Sequence, residues 1–398
     1  MTRGSARAGI PAGVWTLGFV SLLMDTSSEL VHALLPLYLA GTLGASALVI
    51  GLIEGAAESL ALVVKVFSGV LSDLTRRRKP LVLAGYGLAA VSKLAFPLAM
   101  SIGWVVAARL VDRVGKGIRG APRDALIADL TPPAVRGAAF GLRQSLDTVG
   151  AIAGPLLAVG AIAWFAGNFQ AAFWIAVVPA ALCVLLIVLG VDEPAPAGGG
   201  ASRRLSWRDA GRLDGRFRIV VAIAMVLTLA RFSEAFLILR ARDVGFTDAH
   251  APWVMVVMSI VYAGAAFPAG RAADRGHAGA LLLAGFAALI ASDLVLARAS
   301  GAPGVLAGTA LWGLHMALTQ GLLAALVSAT APPDLRGTAF GVFNLGCGVA
   351  LLVASVLAGA LWDAFGPAYT FYAGAAFTAL AGAGWLLVRR RLPALAPT

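Results

Sequence analysis

Apolar residues in this chain do not alternate with polar ones; they run in long stretches parted by short polar segments. Stretches of about 20 or more mainly apolar residues, each enough to cross a hydrocarbon core as a helix, begin near Val14, Leu48, Leu81, Trp104, Gly137, Phe169, Ile219, Trp253, Leu281, Leu306, Gly337 and Ala368. The pattern predicts an all-α integral membrane protein with about twelve spans. One segment breaks the rhythm. Between Asp192 and Arg218 lie Pro194, Pro196, a glycine run at Gly198 to Gly200, and Arg203, Arg204, Arg208, Arg212, Arg216 and Arg218. It divides the chain into an N-terminal six-helix bundle (1–191), a basic linker (192–218) and a C-terminal six-helix bundle (219–398).

Composition supports this and excludes alternatives. Of 398 residues, 60% are hydrophobic and 13% charged, and the mean hydropathy of +0.87 is far above that of a soluble domain. A net charge of +11 suits nucleic acid only when the basic residues share a water-soluble surface. Here most sit in short loops, so no nucleic-acid partner is expected. Arg76 to Arg78 with Lys79, Arg136, the linker arginines, Arg271 and Arg275, Arg336, and Arg389 to Arg391 all fall on one side if the helices alternate. By the positive-inside rule that side is the cytoplasm of a bacterial-type inner membrane, with both termini there. Arg240, Arg242 and Arg298 are the exceptions. The first apolar segment follows Arg3 and Arg7 as a signal peptide would. It runs on through Asp25 and Glu29 without a small-residue cleavage site, and reads as a retained helix. Cys183 and Cys347 lie in apolar segments and offer neither a disulfide scaffold nor a metal cluster.

The halves resemble each other. LTPPAVRGAAFGL, from Leu130, recurs as TAPPDLRGTAFGV, from Thr330. Gly69 precedes Asp73 by four residues, as Gly270 precedes Asp274. Duplicated six-helix halves are a transporter plan. With GVLSDLTRRRK after the second apolar segment and its echo GRAADRGH, the sequence resembles the major facilitator superfamily over essentially its whole length. Leu74 stands where that family usually has Arg, and Arg76 where it has Gly. The resemblance implies a fold of two pseudo-symmetric six-helix bundles and a conformational latch built from Gly69, Asp73, Arg77, Asp129, Gly270, Asp274 and Arg275. It also marks GAIAGP, with Gly150, Gly154 and Pro155, as similar to the family's antiporter motif, implying export.

An ionisable side chain at bilayer depth is costly and by default faces a cavity or a partner. At roughly 100° per residue, Asp25, Glu29 and His32 share one face of the first segment, and Glu54, Glu58 and Lys65 one face of the second. Arg143 and Asp147 stand one turn apart. In the fourth segment Arg109, Asp112, Arg113, Lys116, Arg119, Arg123 and Asp124 fall within an arc of roughly 140°, while Asp129 points elsewhere. Gly115, Gly117, Gly120 and Pro122 invite a kink there. The stretch is not a phosphate loop, since Gly117 follows Lys116 and position 110 is Leu. Two readings stay open: the stripe grips substrate, or it is an ion-pair network that holds the helices together. The second half carries few such groups: Arg231, Glu234, Asp293 and His315, with Gln320 and Asn344.

These features define an expectation: a secondary transporter working by alternating access, most simply a proton-coupled exporter of a small anionic or zwitterionic organic solute. Asp25 and Glu29, then Glu54, Glu58 and Asp112, are the proton-coupling candidates; Arg109, Arg113, Lys116, Arg119, Arg143 and Asp147 are the substrate-binding candidates. Proton-coupled uptake of an organic anion, siderophore or metal chelate, and multidrug or lipid efflux, use the same residues. HExxH and Walker A motifs are absent from the sequence, so no enzyme activity, cofactor or resident metal is expected. The remaining expected partners are protons and membrane lipids, with the chain acting as a monomer.

Overall fold

The computed structural model describes residues 9–75, 77–193, 211–332 and 335–389, with Asp73 described through its backbone alone. Thirteen α-helices occupy the described residues: α1 (Ala12–Leu37), α2 (Ala47–Thr75), α3 (Arg78–Ala95), α4 (Ile102–Leu130), α5 (Arg136–Trp164), α6 (Phe169–Gly190), α7 (Gly215–Ala230), α8 (Ala235–Asp243), α9 (Trp253–Ala272), α10 (Ala278–Arg298), α11 (Ala302–Thr330), α12 (Arg336–Phe365) and α13 (Pro367–Val388). Since α7 and α8 are two pieces of one apolar stretch, twelve passes result, as the hydrophobic pattern predicts. Eight stretches are long and apolar enough to cross a membrane, one of them containing both α9 and α10. Those that fall short, α1, α3 and α4, are helices carrying charges among their apolar residues. Side-chain caps fix several starts: Ser101 accepts from Trp104 N–H at 3.3 Å, Asn168 from Ala171 at 3.0 Å and Asp214 from Phe217 at 2.9 Å.

Contacts group the described residues into two units, one from residues 1–32 and 63–204, the other from 33–62 and 205–398. In the first, Val14, Leu17, Val20 and Met24 of α1 pack with Val82 and Tyr86 of α3, Leu126 and Ile127 of α4, and Ala180, Cys183 and Ile187 of α6. Cys183 is thus a packing residue. Glycines let backbones touch where side chains could not. A Cβ at Gly154 of α5 would stand 2.6 Å from Glu29 Cβ and 2.8 Å from Thr26 carbonyl oxygen, and one at Gly150 would stand 2.7 Å from Leu22 carbonyl oxygen. The GAIAGP motif therefore seats α5 directly on α1. Gly115 plays the same part in α4: a Cβ there would lie 2.6 Å from Gly85 carbonyl oxygen of α3. The helix is continuous through Gly117, Gly120 and Pro122, packed on α3, and on α2 through Ser68 Oγ donating to Gly117 carbonyl at 2.9 Å.

In the second unit the start of α2 packs on α12. Gly359 abuts the Ala47 carbonyl and Gly51 the Ser355 carbonyl, while Asp363 accepts hydrogen bonds from the backbone N–H groups of Ala47 (3.1 Å) and Leu48 (2.9 Å). A carboxylate across a helix N-terminus meets both its orphan donors and its dipole. The α7–α8 break at 231–234 is similarly built from side chains: Ser233 N–H donates to Ser355 Oγ at 3.2 Å, and Ser233 Oγ accepts from Ala235 N–H at 3.2 Å.

Because Gly154 meets backbone atoms of α1, the crowding cannot be relieved by turning a side chain. Gly154→Leu is expected to lower stability by about 1–3 kcal/mol or more, read as a depressed melting temperature of the purified protein. Gly160→Ala, with nothing within 4 Å of the added methyl, should leave it unchanged.

Candidate functional site

The charged stripe of α4 divides into two groups according to what packs over it. The deeper group is sealed. Lys93 of α3 donates to Asp112 Oδ1 at 2.6 Å, and Arg109 and Arg113 lie 3.7 and 3.5 Å from Asp112 Oδ2. All four side chains are buried. Asp112 thus lies against three cations inside the first unit.

The second group is partly open. Arg119 reaches Asp25 of α1 at 3.6 Å and lays its guanidinium 4.6 Å from the ring centre of Tyr86. Arg123 donates to Ser21 Oγ (2.9 Å), Asp124 (3.2 Å) and Tyr86 Oη (3.4 Å), with Asp147 at 3.9 Å. Arg143 pairs with Asp147 at 2.6 Å and approaches Asp124 at 3.8 Å. Lys65 of α2 packs its stem on Gly120 and lies within electrostatic reach of Asp124, Arg123, Lys116 and Arg143. Lys65 and Lys116 are exposed, and Asp25 and Asp124 retain partial exposure. Glu29, one turn from Asp25, stands 3.9 Å from His32.

The structure therefore brings Asp25, Arg119, Arg143 and Asp147 into one connected set with Lys116 nearby, and places Arg109, Asp112 and Arg113 in a separate buried one. Glu54, buried, and Glu58, half-buried, belong to the part of α2 grouped with the second unit. Tyr86, Ser21 and Lys65 join the site without having been singled out for it. Tyr86 and Ser21 carry no charge and follow no motif; Lys65 shares the Glu54 and Glu58 face but leads toward α4.

At the end of α4, the basic residue that reaches Asp129 is Arg78, through Nε, with Nη1 donating to Ser72 Oγ at 3.0 Å; Arg77 is exposed. The backbone N–H groups of Arg78 and Lys79 meet Glu193 at 2.6 and 3.2 Å. Gly69 packs loosely on Ala121. In the second copy, Asp274 and Arg275 lie in a tight turn whose Gly276 has φ 88°, and a Cβ added at Gly270 would meet nothing within 4 Å. The duplicated PP–RG segments share a turn: Val135 N–H donates to Pro132 carbonyl at 3.0 Å and Leu335 N–H to Pro332 carbonyl at 2.9 Å. Arg76, Pro333 and the linker residues 194–210 lie outside the described residues. Among the described residues, no group of three or more His, Cys, Asp or Glu is placed to hold a metal ion.

Removing one member of a buried pair leaves an uncompensated charge, at about 3–5 kcal/mol. Asp112 lies against Lys93, Arg109 and Arg113, whereas Lys93 pairs with Asp112. Asp112→Asn should therefore lower the melting temperature more than Lys93→Met, and the Lys93→Met/Asp112→Asn double variant should not be the sum of the two. Equal and additive shifts would contradict the sealed network.

The chain is 31% identical to an uncharacterized MFS-type transporter of Methanocaldococcus jannaschii over 376 residues, 93% of each chain. Its fold matches a bacterial homolog of the human lysosomal transporter Spinster, solved inward-facing and unoccupied, with TM-score 0.74 at 16% identity over 97% of this chain and 98% of that one. It also matches the human organic anion transporter MFSD10, with TM-score 0.67 at 19% identity over 95% and 100%. The sequence model of the Major Facilitator Superfamily matches residues 17–239 and 219–398, and the protein belongs to that family of membrane transporters.

Proposed function

We propose that this protein exports a small organic anion or zwitterion across the inner membrane in exchange for protons, by alternating access. The observation that carries the reading is a part-exposed cluster in which Arg119, Arg123 and Arg143 lie against Asp25, Asp124 and Asp147, with Lys65 within electrostatic reach of Asp124, Arg123, Lys116 and Arg143 and both lysines exposed. Cations gathered in this way favour an anion that reaches them from outside the protein. Arginine's planar fork suits a carboxylate or phosphate. Lys116, Arg119 and Arg143 with Asp147 hold the solute, and Arg109 and Arg113 with Asp112 hold α3 to α4. That MFSD10 is an organic anion transporter agrees with this charge balance.

Asp25 is the first choice for proton coupling, with Glu29 beside it. Its carboxylate faces Arg119, and its Cβ lies against α5 at Gly150. A protonation there weakens the Arg119 pair in the same cluster that receives solute. The antiporter-like Gly150, Gly154 and Pro155 support export by seating α5 on this part of α1. Orientation gains support as well, because the three basic exceptions have structural tasks. Arg240 donates to the carbonyls of Leu296 (2.9 Å) and Ala299 (2.7 Å) at the end of α10, Arg242 lies 3.5 Å from Asp248, and Arg298 covers the Tyr372 ring. The latch reading for Asp73, Arg77, Asp129, Asp274 and Arg275 extends to Arg78, which makes the Asp129 contact.

The test is flux in proteoliposomes with a panel of organic anions, zwitterions and cations under imposed pH or Na⁺ gradients. A pH gradient should drive anion movement opposite to the proton. Lys116→Gln should weaken anion transport about 10-fold or more, as expected when a charge-assisted contact is lost. Asp25→Asn should retain solute exchange and lose response to the gradient, with Glu54→Gln and Glu58→Gln as comparisons. Transport of cations alone, indifferent to Lys116→Gln, contradicts the substrate assignment; drive by Na⁺ alone contradicts the proton.

A further inference from the structure

Asp293, in the C-terminal third of α10, is a carboxylate that the cluster in the first unit does not use. Its side chain is fully buried, and neither carboxylate oxygen has a hydrogen-bond partner among the described residues. Space for it comes from Gly374 of α13: a Cβ there would stand 2.7 Å from Asp293 Oδ2. The same point lies 3.2 Å from Phe232 Cε1, and Phe232 packs on Trp312 and Phe371 with ring centres 5.4 and 5.6 Å apart. The neighbouring Ser292 hydroxyl is committed elsewhere, donating to Gly308 carbonyl at 2.7 Å. A glycine facing a carboxyl group in an aromatic enclosure is a built niche.

Few charges could balance it. Helices α11 and α13 carry no Asp, Glu, Lys or Arg. On α11 the titratable residue is His315, whose Nδ1 lies 3.0 Å from Gly285 carbonyl, eight residues earlier along α10. On α13 they are Tyr369 and Tyr372, the latter under Arg298 of α10. On α9 they are Tyr262 and Arg271, whose guanidinium lies over Phe267. Arg231 caps α7 beside Phe232, and Arg240 of α8, which reaches the Leu296 and Ala299 carbonyls at the end of α10, pairs with Asp243. None forms an ion pair with Asp293 among the described residues. An ionised carboxylate without donors or a counter-ion is heavily penalised in such surroundings, whereas a protonated one is tolerated.

We propose that Asp293 is a second, reversible proton-binding site, separate from the charged cluster of the first unit. The carboxyl group takes a proton from hydronium, leaving water, and returns it when the α10–α13 contact at Gly374 opens. A proton suits the niche and a metal cation does not, because a hard cation needs several oxygen ligands and here one carboxyl group is offered. The inference does not depend on Asp25 or on the identity of the solute.

Infrared difference spectroscopy on the full chain reconstituted in lipid vesicles tests it. At neutral pH the wild type should show a protonated-carboxyl C=O band that Asp293→Asn removes and Asp25→Asn leaves. Transfer to D₂O should shift the band, reporting exchange with water. Gly374→Ala should move the band without abolishing it, and labelling aspartate with ¹³C in the wild type identifies the same band without any substitution. Absence of a band dependent on Asp293 overturns the proposal, and so does a band that never exchanges in D₂O, which marks a locked structural proton. Loss of proton coupling in Asp25→Asn with the Asp293 band intact supports both sites. Survival of the band with coupling unaffected in Asp25→Asn removes the earlier assignment alone.

Discussion

A charge held away from water must be answered by an opposite charge at hydrogen-bond distance, and the first unit is organised around that requirement. Lys93 at 2.6 Å from Asp112 fixes how close α3 and α4 must come, and with it which residues may lie between them. Gly85 and Gly115 satisfy that demand: neither position leaves room for a Cβ. Ion pair and glycine contact are two sides of one constraint, since long side chains can meet head-on only if the backbones beneath them are pinned. The core of Val82, Tyr86, Leu126 and Ile127 then packs around a spacing already set.

The same pairing of backbone contact with a carboxylate recurs elsewhere. In the second unit Gly51 and Gly359 bring α2 against α12, and Asp363 closes the contact on the N–H groups of Ala47 and Leu48. In the first, Glu193 does so on Arg78 and Lys79 at the start of α3. A helix N-terminus leaves backbone donors without partners inside the helix. A carboxylate supplied from a distant part of the sequence satisfies them and fixes where that part must sit.

The twelve passes were legible because hydrophobic runs of membrane length need no tertiary information. The one-sided stripe on α4 was legible because helical angle depends on spacing alone. Its partners were not: nothing in the spacing tells that Lys93 takes Asp112 or that Tyr86 lies under Arg119. Nor was the α7–α8 break, where neither Gly nor Pro occurs between Arg231 and Glu234 and a hydroxyl from α12 stabilises the opening. Conversely, Gly115, Gly117, Gly120 and Pro122 lower helical propensity, yet α4 is one continuous helix packed on α2 and α3. Arg78 rather than Arg77 reaches Asp129 because α3 begins between them: Arg77 has extended backbone, with φ −108° and ψ 104°.

In the function proposed above, the two readings of the α4 stripe concern different residues. Where α3 covers the helix, Lys93, Arg109, Asp112 and Arg113 are buried together, and separating Lys93 from Asp112 would leave a buried charge without that partner. Past Gly115 the stripe meets α1, α2 and α5, and there Asp25, Asp124, Lys65 and Lys116 keep contact with their surroundings. Tyr86 stands at the join, its ring beneath Arg119 and its hydroxyl at Arg123. A charge can answer an incoming solute or proton only if its partner can let go at small cost, and partial exposure keeps that cost small. The fixed pairs supply the frame against which the looser ones can change.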